Sequence, residues 1–132
     1  MIETISRDRL IDLLNAGAGQ RVAIVGDAML DVYLRGDVDR ISPEAPVPVV
    51  RVREKELALG GAANVAHNVF AIGAQCTLVC AVGDDAEGQV VKEMLREMGA
   101  ASRSIVTVQR RTTTKTRILA RSQQIEIGRA HV

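Results

Sequence analysis

Three groups of residues in this chain of 132 have types and spacings suited to chemistry. The first is Gly60-Gly61-Ala62-Ala63-Asn64. Two glycines ahead of a helical segment let a ligand approach the backbone, and the first N–H groups of that helix can donate to polar or anionic groups. The second is the carboxylate pair Asp27 and Asp31, just beyond the apolar run 21–26. If that run is a buried strand, its carboxyl end is where open α/β sheets bind ligands; for Asp27 a solvated loop carboxylate is an equally good reading. The third is the β-prone, cationic segment 110–121. Strand alternation sends Lys115 and Arg117 to one face with Thr113, forming a compact donor cluster for an anion. The competing reading is a solvated edge strand whose cations discourage edge pairing.

Metal chemistry has little to draw on. Cys76 and Cys80 are the only cysteines, accompanied by His67 and His131, which is short of a persuasive zinc set. On a strand the two cysteines face the same way, but at about 3.3 Å per residue their Cα atoms stand about 13 Å apart, beyond the reach of a disulfide. Both read as core thiols.

The elements that must position these groups follow from hydrophobic pattern and turn chemistry. Ser6 can cap a helix with an apolar stripe of Leu10, Ile11, Leu13 and Leu14, ended by Gly17 and Gly19. A buried strand over 21–26 follows. From 33 to 54 the alternation of Val47, Val49, Val50 and Val52 indicates strand, while Pro43, Pro46 and Pro48 exclude a central one, so an edge ribbon or flap is expected. After the glycine pair, Val65, Val69 and Ile72 carry a helical pattern closed by Gly73, and 77–82 is a buried strand. Asp84 or Asp85 can cap the next helix, with Val90, Val91, Met94, Leu95 and Met98 at core spacing and Gly99 as its stop. A strand over 104–109 precedes the cationic segment.

Composition agrees with this alternation. Hydrophobic residues make up 47% of the chain but aromatics only 2%, so Ala, Val, Leu and Ile must form the core, as in the sandwiched parallel sheets of α/β proteins. A net charge of +1 gives no electrostatic reason to expect nucleic acid or a membrane surface. No apolar run approaches the roughly 20 residues of a membrane span and the start lacks a signal-peptide layout, so a cytoplasmic protein is expected.

Gly60, Gly61, Asn64, Ala66, Gly73 and Gly83 together resemble the N-terminal signature of the ribokinase-like (PfkB) carbohydrate kinases. The resemblance implies an α/β fold: the N-terminal half of a three-layer α/β/α sandwich with a small β-stranded lid, formed by about 33–54 and 110–122 within a kinase segment at 1–126. It further implies that Asp31 accepts hydrogen bonds from sugar hydroxyls, a task suited to an acceptor-only carboxylate. Gly60, Gly61 and Asn64 would line the same sugar site, and Lys115 and Arg117 would meet a substrate phosphate. The segment 36–49 is similar to one branch of the family, the kinases that phosphorylate heptose 7-phosphate at C1, often fused to an adenylyltransferase that makes ADP-heptose for lipopolysaccharide. ATP and Mg²⁺ are the implied cofactors, and a homodimer through the lid is a further expectation.

The resemblance runs from about 22 to 124 and covers only the first half of the family pattern. No G-x-G-D, Walker A or G-x-G-x-x-G loop is present, so the catalytic base and the ATP site are expected beyond this chain, which would be inactive alone. Residues 127–132 fit nothing in the pattern and read as a non-native tail, of the kind a sequencing adapter encodes in one frame; His131 then carries no functional weight. Two other classes compete: a non-catalytic module that binds sugar phosphate, and a nucleotide-binding α/β domain such as an adenylyltransferase. The latter needs a glycine-rich loop after Val25, where Asp27-Ala28-Met29-Leu30-Asp31 is acidic and bulky.

Overall fold

The computed structural model describes residues 4–100, 104–120 and 123–130. Helix α1 (Arg7–Gly17) starts at Ser6, whose hydroxyl accepts a hydrogen bond from the Arg9 N–H at 3.2 Å. Strand β1 (Arg21–Val25) pairs in parallel with β4 (Gln75–Gly83), and β4 pairs in parallel with β5 (Ile105–Val108), giving a three-stranded sheet in the order β1-β4-β5. Between β1 and β4 the chain makes a long antiparallel hairpin, β2 (Ala28–Ile41) and β3 (Pro48–Gly61), and then helix α2 (Ala62–Ala71). Helix α3 (Ala86–Glu97) separates β4 from β5.

The hairpin belongs to a second, four-stranded sheet in the order β3-β2-β6-β7, where β6 (Thr114–Ala120) runs parallel to β2 and β7 (Gln123–Ala130) antiparallel to β6. Pro48 begins β3 and Pro43 and Pro46 lie in the hairpin connection, where no ladder donor is missed. That connection is closed by the Ser42 N–H donating to the Val47 carbonyl at 2.8 Å. Asp31 lies inside β2, and β6 is an inner strand because β7 covers its far side, which removes the competing edge-strand reading of 110–121. Strand β7 continues through Ala130; His131 lies outside the described residues.

The core forms where the two sheets meet the helices. Cys76, Leu78, Cys80 and Val82 on one face of β4 are buried against Ala63 and Ala66 of α2 and Val91 and Leu95 of α3, and Leu30 and Leu59 of the hairpin join them. Burial pushes both cysteine thiols above their ordinary pKa, consistent with inert core sulfur. The expected stripe of α2 is right only in part: Val69 packs against the core, but Val65 and Ile72 are half-exposed, and small Ala63 and Ala66 are the fully buried contacts. The sheet was expected to be buried on both faces, yet Val25, Val79 and Val106 are exposed, as are Leu10, Ile11, Leu13 and Leu14 of α1.

Candidate functional site

Strand register assembles the site. Asp31 lies beside Ala58 of β3 and beside Lys115 of β6, while Tyr33 lies beside Arg117. Paired residues on neighbouring strands share a face, and residues two apart on one strand share it too. Met29, Asp31, Tyr33, Ala58, Gly60, Lys115 and Arg117 therefore occupy one face of the second sheet, opposite the face that buries Leu30 and Leu59.

Within that face Asp31 Oδ1 lies 3.3 Å from Arg117 Nη1, with side-chain exposures of only 16% and 19%. The contact is an ion pair without hydrogen-bond alignment: both atoms are buried and neither has a hydrogen-bond partner. The Arg117 guanidinium also stacks over Tyr33, with its central carbon 4.9 Å from the ring centroid, a cation–π contact. The Lys115 ammonium has no ion-pair partner among the described residues. Glu56, on the same face beside Tyr33, is engaged by Arg35 at 3.2 Å. Asp31 is thus paired with one cation, Arg117, and has a second, Lys115, beside it in register.

The glycine pair closes one side. A Cβ at Gly60 would lie 3.0 Å from Asp31 Oδ2 and 2.7 Å from Met29 Cγ, so only glycine leaves room for the carboxylate there. Gly61 has φ +58°, and its own Cβ would meet the Asp27 carbonyl oxygen at 2.4 Å. That carbonyl accepts a hydrogen bond from the Ala62 N–H at 2.9 Å, which ties the start of α2 to the turn before β2. No side chain caps α2. Asn64, in its first turn, is exposed and lines a cavity of about 370 Å³ together with His67, Leu57, Leu59, Met94 and Met98. The structure thus gathers Asp31, Gly60, Lys115 and Arg117 on one patch with Gly61 adjoining it, whereas Asn64 faces a neighbouring cavity that Asp31 does not line. Asp27 is solvent-exposed and only loosely paired with Arg110 at 3.6 Å, which favours the solvated-carboxylate reading of that residue.

Sequence reasoning missed two features. Tyr33 was passed over, although the period-2 relation to Asp31 would have signalled it had β2 been read as strand from its start. The other is a polar knot behind the site. Of the two carboxylates offered as cap for α3, Asp85 is the one: it accepts from the Gly88 N–H at 2.8 Å, the Thr112 N–H at 2.7 Å and the Thr112 hydroxyl at 2.6 Å. The Thr112 oxygen in turn accepts from the Gly83 N–H at 2.9 Å. Burial pushes the Asp85 carboxyl upward, but the Thr112 and Gly88 hydrogen bonds and the nearby Arg111 charge together hold it below the usual carboxylate range. A Cβ at Gly83 or Gly88 would collide with backbone oxygen at 2.2 or 2.3 Å. One residue on, the Thr113 carbonyl accepts from the Leu30 N–H at 2.9 Å, so the knot fixes where β6 meets β2 next to Asp31.

Among the described residues no group of three His, Cys, Asp or Glu side chains could hold a metal ion. No helix among the described residues is long and apolar enough to cross a membrane.

The architecture is that of a ribokinase-like α/β protein. It superimposes on an Agrobacterium tumefaciens protein assigned as a ribokinase with TM-score 0.69 and 28% identity, covering 86% of this chain and 36% of that one. It also matches the Arabidopsis thaliana ribokinase complexed with ribose and ATP, with TM-score 0.64 and 20% identity over 87% of this chain and 36% of that one. The pfkB family carbohydrate kinase pattern matches residues 20–131, and the chain belongs to that family. Among its relatives are a D-beta-D-heptose 7-phosphate kinase of Bordetella bronchiseptica, 54% identical over 82% of this chain, and a bifunctional protein HldE of Caulobacter sp. strain K31, 48% identical over 89%. The chain spans 34% and 24% of the lengths of those two proteins.

Proposed function

We propose that this chain supplies the acceptor side of an ATP-dependent kinase that phosphorylates a heptose 7-phosphate at C1, in the synthesis of ADP-heptose. The observation that carries the reading is the Asp31 carboxylate set against Gly60 and beside the excess cationic charge of Lys115 and Arg117. An acceptor-only group next to an open backbone suits vicinal sugar hydroxyls, which are donors. Two cations on the same face suit a phosphate on the same molecule, with the arginine offering a planar fork. The names of the relatives at 54% and 48% identity support the same substrate class.

In this reading Asp31 orients the sugar, the Gly60-Gly61 turn admits it to the backbone, and Asn64 reaches it as the β2–β3 hairpin and β6–β7 close as a lid. ATP, with Mg²⁺ neutralising its charge, supplies the phosphoryl group. The described residues offer neither a glycine-rich phosphate cradle nor a carboxylate cluster for the metal, so this chain's part is confined to binding and orienting the acceptor. A fused adenylyltransferase and a homodimer through the lid belong to the same proposal, as does a cytoplasmic location. The test is calorimetric titration of the complete kinase polypeptide carrying these residues with heptose 7-phosphate, ribose and fructose. Selective binding of the heptose phosphate is expected; equal or stronger binding of an unphosphorylated sugar would overturn the substrate assignment.

A further inference from the structure

Arg117 stands in an unusual position for a phosphate ligand. It already faces a carboxylate, at 3.3 Å from Asp31 Oδ1, and Asp31 is the group assigned to the sugar hydroxyls. The two atoms are buried without hydrogen-bond alignment to each other or to anything else. Buried polar atoms left in that state are costly, and more so when charged. The pair is therefore held together by charge but poorly satisfied, and both partners stand to gain from better-aligned ones. The Arg117 guanidinium also lies over the Tyr33 ring at 4.9 Å, a contact that does not depend on Asp31. Lys115, beside Asp31 in register, provides the extra positive charge that draws an anion to this point. Of the other acids on that face, Glu56 is engaged by Arg35 and Glu54 lies further along β3, beside Arg35 in register.

We infer that the Asp31–Arg117 pair is a latch that makes sugar recognition depend on the substrate's own phosphate. This rests on the reading of the site given above. Without an anion, Arg117 neutralises Asp31 and keeps its Oδ1 buried away from hydroxyl donors. When a phosphate binds between Lys115 and Arg117, its oxygens align with the guanidinium fork, the arginine turns from Asp31, and both carboxylate oxygens become available to hydroxyl donors. A neutral sugar of the same shape must break the ion pair with nothing to replace it. The device discriminates by coupling two subsites, in addition to the direct attraction of cations for phosphate.

Such coupling must be reciprocal and measurable as a change in affinity. In the complete kinase, the dephosphorylated heptose is titrated with and without saturating inorganic phosphate. Phosphate should tighten the sugar by about 5- to 150-fold, the usual span of such couplings, and the sugar should tighten phosphate by the same factor. In Arg117→Gln the factor should fall to within about twofold of unity, while the dephosphorylated sugar binds at least as tightly as before. Arg117→Lys, which keeps the charge, covers the case in which the glutamine variant fails to fold, and should retain a reduced coupling; the wild-type titration needs no variant. Independent binding of sugar and phosphate to the wild type would overturn the latch, and so would weaker binding of the dephosphorylated sugar to Arg117→Gln. Asp31→Asn separates the two levels. If it weakens the sugar while sugar and phosphate bind independently to the wild type, only the latch fails. If it leaves sugar binding unchanged, the site assignment fails and the latch with it.

Discussion

The carboxylate of Asp31 rests against the α-carbon of Gly60: a methyl group added there would lie 3.0 Å from Oδ2 and 3.1 Å from Cγ. The relationship joins two features that sequence reading treated separately, the acid after the first strand and the glycine pair before a helix. It gives Gly60 a reason distinct from that of Gly61. Gly61 answers to its backbone angle, at φ +58°, whereas Gly60 answers to the side chain on the next strand.

Gly60→Ala should therefore act as a mutation of Asp31. The new methyl must displace the carboxylate or Met29, so sugar affinity should fall while ATP affinity stays close to wild type. Asp31→Ala removes the acceptor itself. With charged hydrogen bonds worth roughly 1.5–3 kcal/mol, its sugar Kd should rise by about one to two orders of magnitude. Titration of both variants with sugar and with ATP decides; an unchanged sugar Kd in Asp31→Ala would remove that residue from the site.

The two cations should matter only to a phosphorylated substrate. Replacing Lys115 and Arg117 together by Gln should weaken heptose 7-phosphate by about two to four orders of magnitude, the sum of two charged contacts. The dephosphorylated sugar should be spared. Competition binding with the two ligands measures this directly, and equal losses would return both residues to a structural role.

Asp85 should set the acid limb of stability. Its folded-state pKa is lowered, so the ionised form stabilises the protein above the ordinary Asp pKa of about 3.9. That stabilisation is lost as pH falls from there through the folded-state value. Asp85→Asn places an amide donor against the Thr112 N–H or the Gly88 N–H, and should cost about 1–3 kcal/mol at neutral pH from the cap and its paired bonds. Its stability should also vary less between pH 5 and 2 than that of the wild type. Denaturant midpoints across that range are the measurement, and parallel profiles for the two proteins would refute the assignment.

What was legible in the sequence was local. Ser6 as a cap, Gly73 and Gly99 as helix stops and the existence of β4 as a strand all depend on neighbours within a few residues, and each appears where the pattern placed it. Asp31, Lys115 and Arg117 were legible as residue types with a family precedent, but not as a mutual contact, because parallel β2–β6 register joins segments far apart in the chain. The packing face of α2 was legible only at Val69, for a different reason. Larger apolar residues dominate a hydrophobic pattern, while close approach of α2 to β4 selects the small Ala63 and Ala66. Thr112 was illegible for the same reason as the latch: its partner Asp85 belongs to another element.

The exposed face of the parallel sheet leads to the last expectation. Val25 is 78% exposed and Val106 53%, in strands flanking β4 on either side. At roughly 25 cal/mol per Å² of apolar surface, leaving such residues in water forfeits stabilisation that a doubly covered sheet obtains. The low aromatic content, 2%, leaves Ala and Val to compensate, and the apolar stripe of α1 is exposed as well. Residues 1–132 expressed by themselves should therefore melt broadly and bind a hydrophobic dye such as ANS, as loosely packed states do. They should not turn over ATP with heptose 7-phosphate, because a positioned acceptor without a phosphate cradle and a base leaves the reacting groups unassembled. A calorimetric melt and a coupled ADP assay on that polypeptide test both statements. A sharp, two-state transition without dye binding would show that the valine face tolerates water, and measurable turnover would place the base and the nucleotide site among the residues described here.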